Sequence, residues 1–503
     1  MLRKIRIILA AVFVVFTSLL FLDFTGTIHG WFGWMAKIQF IPAILALNIG
    51  IIIALLLLTL LFGRIYCSVI CPLGIFQDGI SWIAGKRKKN RFTFSPAKSW
   101  LRYSIMGIFI LSLVLGITSV FTILEPYSAF GRIISNLFAP VYQWGNNILA
   151  YFAERMDSYT FYSTDVWIKS TLTFSIAAVS LVVISILAWQ NGRTYCNTIC
   201  PVGTFLGFLS KYSLFRPAFV SDKCNGCGLC ARNCKASCIS TKERKIDYSR
   251  CVTCMNCVEK CNKNAIVYTL RKKTETKNAT ELPTAGTDAA TVKPDKSLRD
   301  FFSVSSLFLL SATLKAQQNV ADGGLAEIED KKIPARNTPV VPPGAQGIKN
   351  MSSKCTACQL CISVCPNNIL RPSEKLENFM QPEMSFEKGY CRPECTKCSE
   401  VCPTGAIRKI DRAGKSAISI GQAVWIKDNC IVNTDEIQCT NCEHHCPTGA
   451  ITLINRDPQY QDSMKIPAIN KELCIGCGAC EYLCPARPFS AIYVEGNLRH
   501  HAV

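Results

Sequence analysis

Twenty-nine cysteines stand in this 503-residue chain, and most fall into quartets whose spacing suits thiolate ligation of a metal cofactor. Six quartets are legible: Cys224, Cys227, Cys230 and Cys234; Cys251, Cys254, Cys257 and Cys261; Cys355, Cys358, Cys361 and Cys365; Cys391, Cys395, Cys398 and Cys402; Cys430, Cys439, Cys442 and Cys446; Cys474, Cys477, Cys480 and Cys484. In a CxxCxxC turn three thiolates wrap one corner of a cubane, and the fourth comes from further away, in paired clusters from the last cysteine of the neighbouring run. The first pair then divides into Cys224, Cys227, Cys230 with Cys261, and Cys251, Cys254, Cys257 with Cys234. The spacing predicts about six [4Fe–4S] clusters. Structural zinc prefers two CxxC knuckles set further apart, and disulfides belong to small, secreted, loop-rich domains. Neither suits compact runs in a long apolar chain. The quartets that begin at Cys391 and Cys430 have stretched leading gaps, and Cys234 and Cys261 lack the proline that follows Cys365, Cys402, Cys446 and Cys484.

Four more cysteines lie in an internal repeat. Phe62-Gly-Arg-Ile-Tyr-Cys67-Ser-Val-Ile-Cys71-Pro-Leu-Gly recurs as Asn191-Gly-Arg-Thr-Tyr-Cys196-Asn-Thr-Ile-Cys200-Pro-Val-Gly. Each copy follows an apolar run, so Cys67, Cys71, Cys196 and Cys200 end two matched helices and can converge. Three readings stay open: a further metal site, a redox-active dithiol, or thiols packed against a soluble domain. Arg64 and Arg193 of the same repeats read as interfacial residues reaching for headgroups, the alternative being stabilisation of thiolate or cluster charge. Cys238, four residues after Cys234, reads as a buried small hydrophobe or a substitute ligand. Haem is not expected: the chain has five histidines, none on an apolar run, and no CxxCH.

Positioning these ligands requires two kinds of structure. Hydrophobic residues make up 49% of the chain, but the apolar runs crowd into the first 190 positions. Four runs, about 5–22, 38–62, 100–124 and 168–189, have the roughly 20 residues needed to cross a hydrocarbon core. The first is read as a span rather than a cleaved signal, because no small-residue cleavage site follows it. The inner loop 63–99 holds seven basic residues (Arg64, Lys86, Arg87, Lys88, Lys89, Arg91 and Lys98), against Lys37 in loop 23–37 and Arg132 and Arg155 in loop 125–167. Both ends of this four-helix unit therefore face the cytoplasm. The net charge of +20 is then a topology signal and a lipid contact, not a nucleic-acid surface. The expected organisation is a transmembrane domain over 1–215, a two-cluster ferredoxin domain over 216–270, a linker over 271–353, and a four-cluster ferredoxin domain over 354–503. The fold class is an α-helical membrane bundle of four transmembrane helices, with a fifth candidate at 301–314, plus small α+β bacterial ferredoxin-like domains. Asp23 and Glu125, at the outer edge, are the candidate proton acceptors.

Residues 1–268, with four spans, paired GRxYCxxxCPxG segments and a two-cluster ferredoxin, resemble the membrane quinol dehydrogenase subunit of periplasmic nitrate reductase systems, and the related part of nitrous-oxide reductase maturation proteins. Residues 354–503 resemble the four-cluster ferredoxin partner of that subunit, as though two partners were fused. The resemblance implies a multi-pass protein of the bacterial inner membrane that oxidises quinol and passes electrons to a reductase or another electron-transfer subunit outside it. It also implies that the first and fourth quartets of the carboxy-terminal domain pair, and the second with the third. Free-standing partners of that kind carry a twin-arginine export signal; Ser297-Leu298-Arg299-Asp300-Phe301-Phe302 is similar, with Leu298 in place of the first arginine. A crossing at 301–314 would put the last domain in the periplasm and leave the first ferredoxin domain in the cytoplasm. The rival readings are a relay without a catalytic site and an electron donor for maturation of a metalloenzyme. No nucleotide fingerprint occurs.

Overall fold

A computed structural model describes residues 2–87, 92–158, 160–220, 223–271, 321–322, 326–327, 329–460 and 463–503. The chain divides into two compact units, one of Met1–Arg271, Ile333–Ala486 and Ser490–Val503, the other of Lys272–Lys332 and Arg487–Phe489. In the second unit, Ala321–Asp322 pairs antiparallel with Ala326–Glu327, and Lys332 N donates to Pro488 O at 2.8 Å. The candidate fifth helix at 301–314 lies outside the described residues.

In the first unit the apolar runs become helices, two continuous and two broken. The continuous ones are α1 (Leu2–Leu22) and, later in the chain, Thr171–Asn191, each of 21 residues and apolar enough to cross a membrane by length and composition. Only 28% and 22% of their apolar windows are buried, the reverse of a core helix in a water-soluble domain. The second run breaks into α2 (Phe40–Leu45) and α3 (Ile49–Phe62) at Leu47, whose φ is 53°. After α4 (Pro72–Arg87), the third run breaks into α5 (Ser99–Leu115) and α6 (Thr118–Leu124). Gly116, at φ +72°, caps α5, and Ile117 N bonds back to Ser112 O at 2.8 Å, a left-handed glycine stop.

The segment expected as outer loop 125–167 is largely helical. Glu125 caps α7 (Pro126–Ile133), with proline at the first helical position, and every residue of α7 is buried. A π-helical turn, Ile134–Phe138, leads into α8 (Ala139–Arg155). The Thr171–Asn191 helix is α9, and α10 spans Pro201–Ser210. The repeat is visible in three dimensions: α3 and α9 stop at Gly63 and Gly192, both at positive φ, a one-turn helix carries the first cysteine, and the second cysteine precedes the proline that opens α4 or α10.

The two cysteine-rich domains sit at opposite ends of the bundle. At one end, Arg3 near the start of α1 pairs with Glu259, Tyr268 Oη donates to Phe62 O at the end of α3 (3.2 Å), and Arg193 N beyond α9 donates to Lys235 O (2.9 Å). There β1 (Phe215–Phe219) and β2 (Ile266–Leu270) pair antiparallel, Phe215 opposite Leu270. At the other end, Lys397 Nζ donates to Thr25 O beyond α1 (2.9 Å), Lys169 Nζ just before α9 to Ile362 O (3.0 Å), and Asn136 Nδ2 to Gln359 Oε1 (2.7 Å). The carboxy-terminal domain is built on hairpin-like pairs, β3 (Ile418–Trp425) with β6 (Ile492–Ala502) and β4 (Ile451–Asn455) with β5 (Lys465–Ile469). The linker expectation is corrected at its far end: Val340, Val341 and Ala345 are buried in the core that joins this domain to the bundle. Their Pro and Gly neighbours shape a packed strap, because apolar side chains between them gain more from burial than a free segment would.

Candidate metal centres

Three cavities are walled by sulfur, and each draws its cysteines from two quartets. The first is lined by Cys251, Cys254, Cys257 and Cys234, the crossed set expected from spacing, together with Cys238. The second is lined by Cys391, Cys395, Cys398 and Cys365. The third is lined by Cys430, Cys439, Cys442 and Cys484. The stretched quartets therefore place their first three cysteines as the compact ones do.

The other two centres of the carboxy-terminal domain follow from which sulfurs face one another. Burial raises the Cys361 thiol, and the sulfurs of Cys355, Cys358 and Cys402, followed by Cys398, raise it further. Burial likewise raises Cys480, with Cys477, Cys474 and Cys446 adding to it. Like charges gathered without water oppose ionisation, and bound iron would relieve that opposition. The pairing implied by resemblance is thereby corrected: the first quartet exchanges its last cysteine with the second, and the third with the fourth.

The donor set fits cubanes. No three His, Cys, Asp or Glu side chains among the described residues close on a single-ion site, as a zinc knuckle would. Four thiolates spread around a void match the corners of an iron–sulfur cube. Backbone amides point at several of these sulfurs: Ile407 N to Cys402 (3.4 Å), Ala491 N to Cys484 (3.3 Å), Ala357 N to Cys355 (3.4 Å). Such bonds tune a cluster's potential. Cys238 is buried, with its Sγ 3.5 Å from that of Cys234, so it shares the first cavity as well as being a buried small residue.

Sequence reasoning missed a cation at the second cavity. Lys415 is buried, and its Nζ donates to the carbonyls of Arg392 (2.5 Å) and Cys395. Nothing in the spacing of a lysine in a polar segment marks it.

The repeat cysteines Cys67, Cys71, Cys196 and Cys200 are all buried in the bundle core. Arg64 and Arg193 are fully buried, which overturns their reading as interfacial side chains. Each reaches into the other repeat: Arg64 Nη2 donates to Cys196 O (3.1 Å), and Arg193 Nη1 to Cys67 O (2.5 Å). Asp78 anchors the second arginine at 2.8 Å and also meets Arg6 (3.1 Å) and Lys235 (3.4 Å).

The two candidate acids are both caps. Asp23 Oδ1 accepts from Thr25 N, Thr25 Oγ1 and Gly26 N; Oδ2 accepts from Ile28 N and His29 N and lies 3.1 Å from His29 Nδ1. Burial works upward on this carboxyl, but the bonds from His29, Thr25 and Gly26 prevail and hold it well below the usual range. Glu125 accepts from Tyr127 N and Ser128 N, and burial raises it. Asp23 borders a cavity of about 240 Å³ with Phe24, Thr25, Tyr142 and Tyr162.

Known proteins resemble the chain in the same places. A family described as a 4Fe-4S binding domain matches residues 44–90 and 171–220, and one described as a 4Fe-4S dicluster domain matches 354–406 and 437–487. The putative electron transport protein YccM of Escherichia coli is 24% identical over 48% of this chain and 60% of its own. The ferredoxin-type protein NapH of Escherichia coli is 25% identical over 46% of this chain and 70% of its own. The methylamine utilization ferredoxin-type protein MauM of Methylobacillus flagellatus is 30% identical over 32% of this chain and 70% of its own. Across three relatives the chain spans 38%, 60% and 48% of their lengths, less than two thirds of each. No solved structure matches.

Proposed function

Since this chain belongs to the ferredoxin-type iron–sulfur electron-transfer proteins, we propose that it is a multi-pass protein of the bacterial inner membrane that oxidises quinol and delivers the electrons, through about six [4Fe–4S] clusters, to a periplasmic reductase. Membrane placement is supported by α1 and α9, apolar along their lengths and mostly exposed. The cytoplasmic face is the basic one. It carries the first ferredoxin domain, and the carboxy-terminal domain docks at the opposite, periplasmic end.

The observation that carries the quinol reading is the cavity beside Asp23. Its aromatic walls suit a quinol ring. Asp23 stays ionised at neutral pH, and His29 on its Oδ2 has a buried Nε2 without a partner. A carboxylate held that low is a weak base, so Asp23 orients the imidazole, and the protons that a quinol releases as it becomes quinone leave one at a time by way of His29. The two electrons leave singly. Clusters, when bound, store one electron each, and the second sulfur cavity is adjacent, because Lys397 spans from Thr25 O to the wall of that cavity. Glu125, buried and raised in pKa, serves as the cap of α7.

The test is anaerobic. Purified chain in lipid nanodiscs receives a reduced menaquinol analogue, and cluster absorbance is followed. Bleaching without another subunit is expected, slowed in Asp23→Asn. Protein that dithionite bleaches and quinol does not would be a relay or a maturation donor. Protease added to spheroplasts should cut the carboxy-terminal domain, and protection there would sink the periplasmic placement.

A further inference from the structure

We infer that Cys67, Cys71, Cys196 and Cys200 together hold one additional [4Fe–4S] cluster, shared by the two repeats and set between the two cluster-bearing domains, so that this chain conducts single electrons through the bilayer. The 4Fe-4S description attached to 44–90 and 171–220 does not say which side chains hold iron, whether each segment binds its own, or what lies between the domains.

The site is built from both repeats at once. Each arginine hydrogen-bonds the carbonyl of the other repeat's first cysteine. Each glycine two residues past the second cysteine's proline is pressed on its own repeat's first cysteine: a Cβ on Gly74 would lie 2.4 Å from Cys67 O, and on Gly203 2.2 Å from Cys196 O. The same would-be atoms fall 3.1 Å from Arg193 Nη1 and 2.7 Å from Arg64 Nη2. Two such clasps hold the repeats together with all four cysteines buried in one core.

Charge identifies the occupant. Arg64 and Arg193 are 0% exposed. Asp78 answers Arg193, Arg6 and Lys235 together, and no carboxylate pairs with Arg64 among the described residues. Arg64 Nε, Arg193 Nη2 and Gln77 Oε1 are buried without partners, while Gln77 Nε2 points at Cys196 Sγ from 3.2 Å and Arg64 Nη2 lies 3.8 Å from Cys67 Sγ. Buried cations demand an anion, and four neutral thiols provide none. A cubane of two ferric and two ferrous irons, four sulfides and four thiolates carries two negative charges, and its sulfurs accept N–H bonds. A lone zinc or iron would need the sulfurs to close on one atom, which no three of them do.

Position gives the site its use. On one side Arg64 Nη1 bonds Ser249 O (3.2 Å) and Asn197 Nδ2 bonds Ala236 O (3.3 Å), in the loops that carry Cys251 and Cys234. On the other, Phe76 of α4 meets Phe130 of α7, and the next residue, Gly131, is packed on Cys358 O, where a Cβ would be 2.6 Å away. Tunnelling weakens steeply with distance, and a hydrocarbon core of about 30 Å is too thick for one step. A reduced cluster of one domain loses an electron, this site gains it, and an oxidised cluster of the other domain receives it; no proton or group moves.

The test uses the full chain, purified anaerobically, with iron and acid-labile sulfide counted per molecule. Cys67→Ala and Cys196→Ala should each lose about four irons and four sulfides, and the double variant no more than either. Loss of twice that in the double would mean one cluster per repeat, and no loss in any variant would mean thiols alone; both overturn the inference. Because a cysteine variant can misfold, Gln77→Leu provides a second arm: in a redox titration followed by paramagnetic resonance, one midpoint should fall while the others stay. A titration in which no midpoint moves would also overturn it. In proteoliposomes, Cys196→Ala should stop external dithionite from reducing an enclosed impermeant dye, with both soluble domains still loaded.

Discussion

Neutralising Asp78 should loosen the bundle. The carboxylate, 10% exposed as a side chain, lies 2.8 Å from Arg193, 3.1 Å from Arg6 and 3.4 Å from Lys235. It thereby ties α4 to α1, to the second repeat and to the first ferredoxin domain. Asp78→Asn leaves three cations facing a neutral amide, and breaking a buried pair from one side costs about 3–5 kcal/mol. The pH dependence has a definite sign. Burial pushes this carboxyl up, but Arg193, Lys235 and Arg6 outweigh it and hold the group well below the usual range. Its contribution is thus fully present above the unfolded value of about 3.9 and is lost only as pH falls towards the depressed folded value. Reversible unfolding in mixed micelles, followed by far-ultraviolet circular dichroism, should show a constant gap between wild type and Asp78→Asn from about pH 5 to 8, narrowing below about pH 4. Asp78→Glu should recover part of the loss. A cost under about 1 kcal/mol, the scale of a surface pair, would refute the claim that this carboxylate is the charge centre of its end of the bundle.

Iron counts can settle the pairing of the last four quartets: Cys484→Ala with Cys430→Ala should remove one cluster's iron, whereas Cys484→Ala with Cys474→Ala should disturb two. Gly131→Val should drive the carboxy-terminal domain off α7, since even a Cβ there would meet Cys358 O and the Phe21 ring at 2.6–2.7 Å; limited proteolysis would then release that domain faster, at a stability cost of about 1–3 kcal/mol. Lys415→Met should lower the potential of the cluster held by Cys391, Cys395, Cys398 and Cys365, because a buried positive charge favours the reduced state. A unit charge a few ångströms away at an effective dielectric near 20 corresponds to roughly 100 mV, read by redox titration.

The candidate ligands themselves were plain from one dimension. A CxxCxxC turn is local, so the spacing of Cys251, Cys254 and Cys257 already states which three sulfurs face one cavity. Apolar runs announce α1 and α9 by length alone, and the duplicated segment announces its own symmetry. Breaks inside the second and third runs were harder to see, because Leu47 is no helix breaker by type and a lone Gly116 is tolerated in many helices. The helix at 126–133 hid in a segment read as loop; Glu125 followed by Pro126 was its available signal.

What the spacing of the last four quartets does not contain is which two of them exchange a fourth ligand, since that cysteine is brought in by the path of the chain between two turns. The exchange of Cys365 and Cys402, and of Cys446 and Cys484, was therefore decided by packing. So were the burial of Arg64 and Arg193 and the convergence of Asp78 on three cations far apart in sequence. Sequence determines which atoms can bind iron, because that is set by residue type and by a few bonds of local geometry. Tertiary structure determines which of them share it and what charge surrounds them, because desolvation and Coulomb energy depend on distances that only the folded chain creates.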